Sequence, residues 1–166
     1  MRGDEGFEAL FRREYPLVLR TVALIVADEE VAAEVTQEAF TQLHVKWRRV
    51  SGYERPGAWV RRVAIRQAVR HRQRGRRGGV LEAQSYVSES VDDVAIDVDV
   101  VRAIGTLPVQ QRAAIVLRYY GDLSVTDIAA AMGCAEATVR VHLHRARARL
   151  AQLLAIDEEE MDDVAG

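Results

Sequence analysis

Cysteine, long apolar runs and strand-like alternation are nearly missing from this sequence, and each absence removes a class of protein. Cys134, the one cysteine, cannot close an internal disulfide or build a multi-cysteine zinc module. The longest apolar run, Val22 to Ala27, has six residues, against the ~20 that a membrane span needs. The opening Met-Arg-Gly-Asp-Glu-Gly lacks the apolar stretch of a signal peptide. A cytoplasmic protein without covalent staples and without membrane contact is expected. A catalytic or metal-binding set is missing too. His142 and His144 stand two apart, about 200° around a helix, and cannot share an ion. Cys134 falls in a turn, where a small buried residue is the plainer role, and His44 and His71 have no carboxylate near them in sequence. The chain is expected to be no enzyme and to carry no cofactor and no metal.

What is present is a block pattern of charge. The 166 residues carry a net charge of only −2. Residues 1–43 hold 4 basic and 9 acidic side chains, whereas residues 44–79 hold 12 basic and 1 acidic. Residues 80–101 have 6 acids and no base, 102–155 have 7 bases against 3 acids, and 156–166 close with 6 acids. Such blocks predict two polyanion-facing regions separated by an acidic spacer. The acidic blocks would compete with phosphate for the basic faces at low salt.

Periodicity is helical almost throughout. Phe7, Phe11, Val18, Val22 and Ile25 mark one face of a first helix, which Pro16 should kink or split. A second helix is expected from about Asp28 to Trp47, with Val31, Val35, Ala39 and Leu43 in a stripe and an acidic first turn. A third follows from about Ala58 to Arg74, after Ser51-Gly52 and Pro56-Gly57. From Gly75 to Asp97 the pattern fails among glycines, serines and acids, as in a linker. It resumes with Val100, Val101, Ile104 and Leu107, and Pro108 suits the start of the next helix. The expected fold is all-α: two small helical domains, 1–74 and 98–155, joined by a flexible acidic linker, 75–97, and followed by an acidic tail, 156–166.

The second domain holds a helix-turn-helix pattern. Ser124 with Asp127 reads as a capping box, and Gly133 after Ala129 supplies a turn of positive φ, with Val139 packing beneath. In the following helix Val139, Leu143, Ala146 and Leu150 share a sector of about 60°. The opposite side carries Ala137, Val141, His144 and Arg145, flanked by Thr138 and Arg140. Small residues let a helix enter the major groove, and arginines offer bidentate contacts to guanine. A helical hairpin with solvated arginines is the plainer alternative. In the first domain, arginines between His44 and Arg77 interleave with Trp47, Tyr53 and Trp59. Cations neutralise phosphates, and rings beside them stack on unpaired bases. Either tryptophan alone also reads as core.

Together the two halves resemble the bacterial sigma factors of the extracytoplasmic-function (ECF) group. Ala33-Glu34-Val35-Thr36-Gln37-Glu38-Ala39-Phe40 matches the family's polymerase-gripping segment, and Trp59-Val60-Arg61-Arg62-Val63-Ala64 the helix that reads and opens the −10 element. Leu107-Pro108 with Arg112, Leu117-Arg118, and Thr138-Val139 with Leu143 and Arg145-Ala146 match the domain that binds the −35 element. The resemblance implies core RNA polymerase and promoter DNA as partners, and an anti-sigma factor as a further one. It implies that Glu34, Gln37, Glu38 and Phe40 contact polymerase. Lys46, Trp47, Arg48, Arg49, Tyr53, Trp59, Arg62, Arg66 and Arg70 would serve the −10 element and strand opening. Ala137, Thr138, Arg140, Val141, His144 and Arg145 would serve the −35 element. Ile65-Arg66 stands where the family usually has Arg-Asn, and Arg70 where it often has aspartate. Both departures imply firmer, less discriminating phosphate contact.

Three other readings compete. A stand-alone helix-turn-helix regulator leaves residues 28–77 without a purpose. An enzyme lacks its catalytic set. Membrane-surface binding would need Val60, Val63, Ala64 and Ala68 outside the core. A sigma factor that directs promoter recognition, strand opening and transcription initiation uses the whole chain.

Overall fold

A computed structural model describes residues 2–77 and 98–165. These are all-α, as the periodicity predicts, with no strand among the described residues. Helix α1 (Arg2–Val26) runs unbroken past Pro16, where a kink or split was expected. Pro16 sits on the exposed side, so the helix keeps its buried face: Leu10, Val18, Val22 and Ile25 are all nearly inaccessible. Packing against neighbouring helices outweighs the lost hydrogen bond.

Helix α2 (Glu29–Val45) begins at Asp28, whose Oδ1 accepts the Val31 N–H at 3.1 Å. A single turn, α3 (Trp47–Val50), not expected from the pattern, leads into α4 (Pro56–Arg77). Proline at the first helical position costs no hydrogen bond there. Helix α4 ends three residues beyond the expected boundary at 74. Most of the expected linker, residues 78–97, lies outside the described residues.

The second half comprises α5 (Val98–Thr106), α6 (Val109–Tyr119), α7 (Val125–Met132) and α8 (Glu136–Ala165). Ser124 Oγ caps α7 by accepting the Asp127 N–H at 3.1 Å, and Gly133 ends it at φ 70°, the left-handed conformation that glycine adopts without strain. Helix α8 continues to Ala165, through the residues expected to form a separate tail. Glutamate is a good helix former, and Glu158–Glu160 extend the helix rather than stop it.

The two halves pack on each other. Helix α1 meets α5 and α6, and α4 meets α6 and α7. Their buried side chains join in one apolar cluster, from Leu10 and Val22 through Ile65 to Leu117 and Val139.

Candidate nucleic-acid interface

Helix α4, with the turn α3 and Lys46 before it, carries the basic set, and α1 supplies a frame for its start. Glu14 occupies a position in the buried row Leu10, Glu14, Val18, and is only 6% exposed. Its carboxylate pairs with Arg61 Nε at 3.4 Å and Arg13 Nε at 3.2 Å. It also lies at the start of α4, whose own first turn has no acid. The negative charge therefore complements the helix dipole from a neighbouring helix. Gly57 makes room for it: a Cβ there would lie 2.8 Å from Glu14 Oε1. Glu14, and its pairing with Arg61, escaped the sequence reading. The signal was an acid at four-residue spacing inside an apolar row.

Around that frame the expected −10 residues divide. Lys46, Arg48, Arg49, Arg62, Arg66 and Arg70 are exposed, and Tyr53 is 40% exposed. Trp47 is half-buried, edge-on to Phe7 at 5.5 Å. Trp59 is half-buried under the Lys46 ammonium, 5.7 Å from its ring centroid. Both tryptophans thus take part in the packing of the domain while keeping an exposed edge. Tyr53, Trp59 and Arg62 line one cleft of about 340 Å³, whose far wall is Leu123, Asp127 and Ala131 of the second half. Arg66 and Arg70 line another, of about 310 Å³, against Met132, Gly133 and Cys134.

On α2, Glu34, Gln37 and Glu38 form an exposed polar edge. Phe40 does not join them. It is 3% exposed, with its ring 5.1 Å from that of Phe11 and 5.2 Å from that of Tyr15. It is a core residue, because α1 and α4 cover α2 from two sides and widen its buried sector beyond one stripe.

On α8, Val139, Leu143 and Ala146 are buried, and Ala137, Thr138, Arg140, Val141, His144 and Arg145 are exposed on the other side. Glu136 steadies the start of this face: Oε1 accepts the Thr126 hydroxyl at 2.9 Å, and Oε2 lies 3.4 Å from Arg140 Nη2. His142, between the two faces, has its pKa lowered by burial and by the nearby Arg145 cation. Burial raises the pKa of the Cys134 thiol, which leaves it little thiolate. Among the described residues no three or more of His, Cys, Asp and Glu group as metal ligands, and no helix is long and apolar enough to cross a membrane.

Known proteins share both halves of this arrangement. The Sigma-70 region 2 family model matches residues 10–78, and the Sigma-70 region 4 family model matches residues 97–150. The chain is 33% identical over 159 residues to an ECF RNA polymerase sigma factor, SigM, of Mycobacterium tuberculosis, covering 92% of this chain and 79% of that protein. It is 28% identical to an RNA polymerase sigma-E factor of Streptomyces antibioticus, covering 96% and 94%. In fold it is similar to the sigma factor RpoE in complex with the anti-sigma factor NepR from Bartonella quintana. The TM-score there is 0.76 at 23% identity, over 92% of this chain and 99% of that one.

Proposed function

Because the chain belongs to the ECF sigma factors of RNA polymerase, we propose that its two halves divide a promoter between them. The protein is an alternative sigma factor that directs transcription initiation in partnership with core RNA polymerase and promoter DNA. Within that role, residues 1–74 take polymerase and the −10 element, and residues 98–155 take the −35 element. Glu34, Gln37 and Glu38 on α2 dock on polymerase. Lys46, Arg48, Arg49, Arg62, Arg66 and Arg70 hold phosphates, and Tyr53 with the exposed edges of Trp47 and Trp59 stacks on unpaired bases. Ala137, Thr138, Arg140, Val141, His144 and Arg145 enter the major groove. Nucleotide transfer belongs to the polymerase, and the protein works in the cytoplasm. An anti-sigma factor is a further partner, as in the structure of RpoE with NepR.

The observation that carries this division is the exposed cationic and aromatic edge formed by residues 46–70, through α3 and α4, together with the exposed polar face of a capped helix-turn-helix in one chain. A stand-alone regulator has no use for the first of these, and nothing supports that reading. The test is capture of core polymerase by the full chain, followed by run-off transcription and permanganate footprinting. Tyr53→Ala should keep polymerase binding and lose thymine reactivity in the bubble. Normal reactivity would return Tyr53 to a structural role.

A further inference from the structure

Two arginines cross between the halves of the molecule, one in each direction. Arg112 on α6 is 3% exposed, and its guanidinium reaches out of its own half. Nη1 donates to the Ile25 carbonyl at 2.8 Å, while Nη2 donates to Gly105 and Leu107 at 2.6 and 3.1 Å. Ile25 lies in the last turn of α1, where carbonyls have no helical N–H to accept and the dipole is negative. That turn has no basic residue of its own. The first half returns the arrangement. Arg66 on α4 donates Nη2 to the Ala130 carbonyl at 2.8 Å, in the last turn of α7, which also has no basic residue. Each half caps a helix of the other.

Between the two arginines lies an apolar seam. Ile65 and Val69 are buried on α4, at 2% and 8% exposure, each lining a cleft against the second half. The closed arrangement is unequal in what it hides. The outer face of α8 stays exposed, whereas Leu123, Asp127 and Ala131 wall in the cleft of Tyr53, Trp59 and Arg62. A DNA strand laid along that cleft meets α7 and the Asp127 carboxylate.

We propose that Arg66 and Arg112 form a reciprocal latch that holds the free chain closed over its −10 cleft, leaving the −35 face available. Polymerase and promoter must part the halves before the −10 face is reached. Arg66 then exchanges a carbonyl for a phosphate, and Arg112 keeps Gly105 and Leu107. The DNA part of this rests on the promoter reading above; the latch itself does not.

Small-angle X-ray scattering of the free full-length chain reads the latch directly. Arg66→Ala and Arg112→Lys should each enlarge the radius of gyration. Fluorescence anisotropy with a single-stranded −10 oligonucleotide and a −35 duplex reads its consequence. Arg112→Lys should bind the single strand about tenfold more tightly, the worth of one charge-assisted hydrogen bond, and the duplex as before. Should that variant lose helical content, Val69→Ser loosens the seam from the other side and carries the same expectation. Unchanged scattering in these variants overturns the latch. Expansion with unchanged binding of the single strand overturns the covering of the −10 cleft. If no variant binds either oligonucleotide although the scattering expands, the latch stands and the promoter reading falls.

Discussion

Glu38 and Phe40 stand two residues apart on α2 and answer to different forces. Phe40 fills a ring cluster with Phe11 and Tyr15, so Phe40→Ala should cost about 3–5 kcal/mol, read by urea unfolding. Glu38 is exposed and accepts a long contact, 3.5 Å, from Gln67. Glu38→Lys should leave helical content and stability nearly unchanged and weaken capture of core polymerase. Retained capture would mean that this edge of α2 faces something else. The burial of Phe40 was not legible in the sequence. It lies about 60° beyond Leu43, outside the stripe that starts at Val31, and only the arrival of Phe11 and Tyr15 from α1 covers it. The division of α8 into a buried and an exposed face was legible, because a single stripe, Val139, Leu143 and Ala146, faces the core and Ala137, Thr138, Arg140, Val141, His144 and Arg145 are exposed.

At the scale of elements, local signals carried furthest. The Ser124 cap and the left-handed Gly133 both depend on neighbours within a few residues, and both stand where the sequence places them. Helix α4 shows where such signals run out. Val60, Ala64 and Ala68 span about 80° and pack within the first half, while Ile65 and Val69 lie about 60–100° further round and are buried by the second. Periodicity marks both rows as apolar but cannot say that a separate half covers one of them. The start of α4 has the same dependence on a distant residue. Gly57→Ala pushes a methyl against the buried Glu14 carboxylate, which cannot move without leaving Arg61. A loss of about 1–3 kcal/mol is expected. In a double-mutant cycle Glu14→Ala should relieve part of it, so the two losses should not add. Additive losses would place the strain elsewhere.

At the scale of the molecule, closure and promoter spacing pull in opposite directions across residues 78–97. Those 20 residues span at most about 66–72 Å when fully extended. Two promoter elements roughly two helical turns apart are separated by about 70 Å at ~34 Å per turn. An unconstrained coil of this length would average only about 22–27 Å. A chain this long permits closure at little entropic cost, since closing a loop depends only weakly on its length. The distance between the elements takes up nearly all of the extended reach, less what the domains themselves span. Removing about eight residues between Glu82 and Ser90 separates the two demands. The remaining dozen or so reach at most about 40–43 Å. The shortened chain should keep polymerase capture through its first half and lose −35-dependent run-off transcription. The loss should persist when Arg112→Lys is added, because opening the latch frees the halves but cannot lengthen the tether. If Arg112→Lys restores transcription to the shortened chain, closure rather than reach was limiting. If the shortened chain transcribes normally without it, the halves bridge the promoter unaided and the tether is slack.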